Sequence, residues 1–92
     1  MEAILKIKEG FVLREVMGNN VIIAVGEASR NFRGMVQLNA SAADIWNFIA
    51  KGLDKEQIVD AMMEKYDAER SVIEADVCRS IDQFASNGMI EL

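Results

Sequence analysis

Two periods divide the chain. From Phe11 to Leu38 apolar residues come in short, partly alternating or continuous runs rich in β-branched side chains, and from Ser41 onward they recur every third and fourth residue. The first pattern predicts strands and the second predicts amphipathic helices. Phe11-Val12-Leu13-Arg14-Glu15-Val16 reads as a strand. Met17-Gly18-Asn19-Asn20 follows, with glycine and asparagine suited to the positive φ of a hairpin turn. Val21-Ile22-Ile23-Ala24-Val25 is a continuous apolar run, the pattern of a central strand buried on both faces. Residues 26–33 read as a loop, and Gly34 to Leu38 as a third, short strand at the sheet edge.

Three helices are predicted after it, each with a start signal. The first has Ser41 as N-cap and Asp44 as its capping-box partner. Its apolar face is Ile45, Phe48 and Ile49, flanked by Trp46, and Gly52 closes it. The second starts at Asp54 with Gln57 three residues on, and carries Ile58, Val59, Met62, Met63 and Tyr66. The third starts at Ser71 with Glu74, buries Ile73, Val77, Ile81 and Phe84, and ends at Asn87-Gly88, after which Met89 and Ile90 fold back on its last turn. Only Asn39 and Ala40 separate the third strand from the first helix.

Strands followed by helices give an α+β fold, winged-helix-like, with a three-stranded antiparallel sheet followed by three helices. Ninety-two residues with 51% apolar content make one domain, residues 1–92, in which 1–8 form a loosely ordered N-terminal arm. No run is long enough for a membrane span, and the start lacks a secretory pattern. One cysteine, Cys78, permits no internal disulfide, so a reducing compartment, the cytoplasm, is expected.

The chemistry is narrowed by absences. With no histidine, the chain cannot supply a Ser–His–Asp or Cys–His pair or an imidazole zinc site. The six glycines are scattered and match no phosphate-cradling loop. A non-catalytic binding module without cofactor or metal is therefore the expectation. Asp60 and Glu64 lie one helical turn apart and read as surface charges, and Cys78 as an inert thiol. Charge is unevenly spread: residues 1–40 carry net +1 and residues 41–92 net −6. The acidic helical half repels nucleic acid and anionic membranes.

One further set of residues carries a resemblance. Phe11 opens the first strand and Val21 to Val25 form the second. Leu38-Asn39 precede a small, hydroxyl-bearing helix start, followed by Ala43-Asp44-Ile45-Trp46 and Lys51-Gly52. Then come Glu56-Gln57-Ile58-Val59, Tyr66-Asp67, Asp76-Val77 and Gly88-Met89-Ile90. In this order and spacing, from about residue 9 to 91, the chain resembles the PqqD-like family, also called the RiPP recognition element. The resemblance implies a chaperone that binds the leader of a ribosomally made precursor peptide. It would present that leader to a modifying enzyme, often a radical SAM protein, in pyrroloquinoline quinone or related biosynthesis. Gly26-Glu27 stands where the quinone branch has a Pro-Glu pair.

Such binding fits the short third strand. An edge strand exposes unpaired main-chain groups with which an extended peptide can pair. The expected peptide site is Arg33, Gly34, Met35, Val36, Gln37 and Leu38 on the strand side, with Ile73, Asp76, Val77 and Ser80 of the third helix as groove wall. Arg30 and Arg33 would set register against acidic leader residues, whereas Trp46 reads as core. Two other readings stay open. A winged-helix DNA regulator would use the third helix, but residues 71–88 carry net −2, against the needs of a recognition helix. A structural oligomer, such as a homodimer, would pair the same edge with a second copy.

Overall fold

The computed structural model describes residues 5–31 and 34–91. Its elements run β1 (Lys6–Ile7), β2 (Phe11–Val16), β3 (Asn19–Ala24), α1 (Ala28–Asn31), β4 (Met35–Leu38), α2 (Ala40–Ala50), α3 (Lys55–Lys65), α4 (Arg70–Ser86) and β5 (Ile90–Glu91). β2, β3 and β4 form an antiparallel sheet in that order, so β4 is an edge, as its position in the sequence implies. The α+β class holds.

The register divides the sheet into two faces. Leu13, Ile22 and Val36 lie side by side, and Leu38 shares their face through its pairing with Asn20. These residues join the core, in which Ile22 is fully buried. The β3 run is buried on both faces only at its middle, where Val21 on the outer face and Ile22 on the inner face are both covered. Helices α2 and α4 meet through Trp46 and Phe84, whose rings pack edge to face at 5.1 Å. Trp46 is thus a core residue, as its place on an amphipathic helix predicts.

Several boundaries differ from the sequence expectation. α2 begins two residues earlier, capped by Asn39 rather than Ser41: the Ala42 N–H donates to Asn39 Oδ1 at 2.9 Å. The Ser41 hydroxyl donates to the same oxygen at 3.1 Å. Asparagine is as good a cap as serine, and here it sits where the chain leaves the strand. α4 starts at Arg70, not after Ser71, and Glu69 at its N-cap makes no side-chain bond. Arg70 instead bonds Glu74 within the helix and Asp60 on α3, which anchors the first turn from outside. The Asp54–Gln57 capping box of α3 is present as predicted.

Both glycine-closed helix ends also form. Leu53 N–H reaches Phe48 C=O and Met89 N–H reaches Phe84 C=O, while the Gly52 and Gly88 N–H groups bond Ile49 C=O and Ala85 C=O. Met89 is fully buried by that fold-back. The chain then pairs Ile90 with Ile7 and Glu91 with Lys6, and Leu5 is buried beside them. Residues 5–7, within the segment expected as a loose arm, are therefore held in a second, two-stranded sheet. A two-residue strand lacks the length for a readable alternation. Similarly, the loop expected over 26–33 contains the single turn α1, set by Ser29 bonding Gly26 C=O. α1 sits close over Gly10, where a Cβ would lie 2.6 Å from the Ala28 Cβ.

The β2–β3 hairpin turns on Met17 and Gly18, with φ of 53° and 82°. Positive φ at both central positions is the turn that matches strand twist, but methionine is strained there. Met17 is also 95% exposed, so it contributes no packing in return. Met17→Asn should raise unfolding stability by about 0.5–1 kcal/mol, read from the urea midpoint at unchanged m-value.

Candidate functional site

The hairpin fixes which main-chain groups of β4 are free. Val16 and Asn19 close a two-residue turn, and the Val25 N–H bonds Gly10 C=O at 2.7 Å in the same register. Hydrogen-bonded pairs alternate in an antiparallel ladder. Residues 19, 21 and 23 of β3 therefore bond toward β2, and residues 20 and 22 bond toward β4. Their β4 partners are Leu38 and Val36. It follows that Met35 and Gln37 point their N–H and C=O groups away from β3. Among the described residues no strand pairs with that side.

Side chains on β4 alternate accordingly. Met35 is 61% exposed, Val36 is half-buried, Gln37 is exposed and Leu38 is buried. The Gln37 amide donates to Asn19 Oδ1 at 3.2 Å, which ties the edge to the hairpin end. Gly34 is exposed at the entry to the strand, and Arg33 lies outside the described residues. Arg30 is exposed on α1 and its nearest acid is Glu27 at 4.0 Å, both largely in solvent. Such a pair contributes little.

β4 packs on β3 and α2, whereas α4 packs on α2, α3 and β5. A cleft of about 240 Å³ opens between the start of α2, the end of α3 and the first turns of α4, and no β4 residue is among its walls. Ser41, Met62, Tyr66, Ile73, Asp76 and Arg79 are among its walls. Of the four wall residues expected from α4, the cleft brings together Ile73 and Asp76. Val77 is fully buried and Ser80 is 5% exposed, so both sit beneath the surface as packing. Asp76 is held by Arg79 at 3.5 Å on the same helix.

The cleft walls are joined by a polar clamp that the sequence reading assigned differently. Asp44 was expected to close a capping box with Ser41. Its carboxylate instead accepts from Lys65 Nζ at 2.8 Å and from the Tyr66 hydroxyl at 2.5 Å, linking α2 to the end of α3. Tyr66 read as the last residue of an apolar stripe, and only its hydroxyl hinted at a partner. Burial pushes the Asp44 carboxyl up, but the Lys65 and Tyr66 hydrogen bonds outweigh it and hold it below its ordinary value. The Tyr66 phenol is pushed up to about 12, chiefly by the hydrogen bond to Asp44, then by burial.

The family model described as Coenzyme PQQ synthesis protein D (PqqD) matches residues 20–90, and the chain belongs to that family. Its fold is similar to "TbiB1 in Complex with the TbiA(beta) Leader Peptide", at 23% identity and TM-score 0.76, with 94% of each chain covered. It is also similar to "Lasso peptide synthetase B1 complexed with the leader peptide", at 19% identity and TM-score 0.78, covering 98% of this chain and 100% of the other. Both likenesses show a shared fold. No curated protein matches the chain.

The clamp makes a pH prediction. Asp44 titrates below its unfolded value, so its stabilisation is present above the ordinary carboxylate range and is lost as pH falls through the folded value. Tyr66 titrates above its unfolded value of 10, so its stabilisation is full below that and fades toward about 12. Tyr66 is the only tyrosine, so tyrosinate absorbance isolates it. Its midpoint should lie near 12 in the native chain. It should move back toward 10 in Asp44→Asn, in which the carboxylate charge is gone.

Proposed function

We propose that the chain is a non-catalytic accessory protein that binds the leader of a ribosomally made precursor peptide by strand addition at β4. It presents the peptide to a modifying enzyme. The observation that carries this reading is the free side of β4, where Met35 and Gln37 point their main-chain groups away from β3. An extended guest takes up those groups as a further strand, and one of its side chains enters the cleft between Tyr66, Ile73 and Asp76. Membership in the PqqD family supports the reading, as do the leader peptides bound to both similar structures.

The site needs no metal or redox group for this task, and among the described residues no group of metal-ligating side chains comes together. The enzyme served is, in this reading, a radical SAM protein of pyrroloquinoline quinone synthesis or of a related peptide modification. Among the described residues no helix is long and apolar enough to cross a membrane; the reading places the protein in the cytoplasm with its substrate. The acidic exposed residues of α4, Glu74 and Asp82, weigh against a DNA-binding role for that helix.

The test uses the leader of a precursor peptide encoded beside this chain. Gln37 directs its N–H away from β3, so Gln37→Pro removes a pairing donor without breaking a β3 ladder bond. Leader affinity should fall at least about tenfold, or 1.4 kcal/mol, while Gln37→Ala should bind nearly as the parent does. Isothermal titration reads the affinity and circular dichroism the fold. Equal affinity for the proline variant, with the fold intact, rejects strand addition at β4.

A further inference from the structure

A solvated sheet face normally alternates to polar residues, but the outer face here does not. Val12, Ile23 and Met35 stand in one cross-strand row on that face. None of the three belongs to the core cluster, and Val25, on the same face just past the end of β3, is 41% exposed. The next row, Arg14, Val21 and Gln37, is polar at both ends. The apolar row therefore runs across the sheet and stops at Met35, on the strand whose main-chain groups point outward.

We infer that Met35 forms a second subsite, on the outer face of the sheet, for a large apolar side chain of the guest strand. This rests on the peptide-binding reading and adds a specificity element to it. A strand added at β4 places the residue opposite Met35 on the outer face, its Cβ about 4.5–5.5 Å from the methionine Cβ. That side chain extends the row by one position and covers the most exposed member. A thioether adapts to varied shapes and favours an aromatic neighbour. The guest residue two positions on faces Gln37, whose amide is already bonded to Asn19. The leader segment is then apolar at one outward position and tolerant at the next, with its alternate side chains directed toward the cleft side. A lysine or glutamate opposite Met35 would meet no counter-charge on β4.

The probe is a random peptide library displayed on phage and selected on the full-length chain, followed by synthesis of an enriched peptide. Each of its residues is changed to Ser, and affinities are read by fluorescence anisotropy on the parent, Met35→Thr and Val12→Thr. Met35 is exposed and threonine suits a strand, so the variant should fold. One position should show a Ser effect of about threefold to fivefold on the parent that shrinks below about twofold on Met35→Thr. Val12→Thr, on the far edge, should leave that effect unchanged. Coupling to Val12 in place of Met35, or to neither, overturns the subsite while binding itself still supports the peptide reading. Failure to enrich any peptide overturns both. Light scattering completes the test: a dimer that Met35→Thr dissociates, with peptide affinity unaltered, assigns the row to a second copy and overturns the inference.

Discussion

The site depends on a joint of one residue. β4 ends at Leu38 and α2 begins at Ala40, so Asn39 alone turns the chain from extended to helical. Its backbone is still extended, with φ −74° and ψ 174°, while its side chain caps the helix. Because the chain turns away at once, it cannot run back along β4 and cover the free side. Because Leu38 is buried on one flank of the joint and Ala42 and Ala43 on the other, the strand cannot swing off the helical half. An edge strand is a hazard when long and flat. This one is four residues long, and it is fixed on one side by β3.

Rigidity on one side is what makes openness on the other useful. Val36 and Leu38 spend their ladder bonds on β3 and their side chains on the core, so β4 holds its extended shape without a guest. The cleft beyond it is likewise held open. Asp44 on α2 grips Lys65 and Tyr66 at the end of α3, and Arg70 grips Asp60 across the α3–α4 turn. Exposed pairs such as the latter contribute little to stability, but the half-buried Asp44 clamp fixes the ring that walls the cleft. A guest chain therefore meets a surface already shaped for it, which lowers the ordering cost on the protein's side.

The sequence carried the long elements well because their signals are redundant. α3 announces itself by period, capping box and flanking glycine at once, and the hairpin by Gly18, although Met17 and not an asparagine takes the other positive φ. The edge position of β4 followed from chain order. What escaped was set by tertiary contact. The β1–β5 pairing joins two-residue strands whose partners lie at opposite ends of the chain. Asp44 and Ser41 fit a capping box locally, yet Asn39 caps the helix two residues earlier through the Ala42 N–H, and Lys65 and Tyr66 take the Asp44 carboxylate. The α4 wall was half legible: a stripe of Ile73, Val77 and Ile81 gives a face, but only packing decides which of its members lie at the rim. Ile73 reaches the cleft, while Val77 and Ser80 are sealed under it. Met35 was named only as part of the expected peptide-contacting strand; its exposure and the apolar row behind it needed the register.

Main-chain pairing alone would make this edge a poor receptor. Met35 and Gln37 offer two donors and two acceptors, which contribute about 0.5–1.5 kcal/mol each once water is exchanged. Ordering a guest segment of a few residues costs about 1–2 kcal/mol per residue. The two sums nearly cancel, so an arbitrary extended peptide gains little by docking. Affinity must come from side chains, where one fully buried apolar group contributes about 1.5–3 kcal/mol. The cleft walled by Tyr66 and Ile73 can bury one such group, and Met35 on the opposite face can cover part of another. Successive residues of a strand point to opposite faces, so a chain that satisfies both must be apolar in two directions. A soluble, flexible segment seldom has that pattern by chance, which is how a generic strand edge becomes selective.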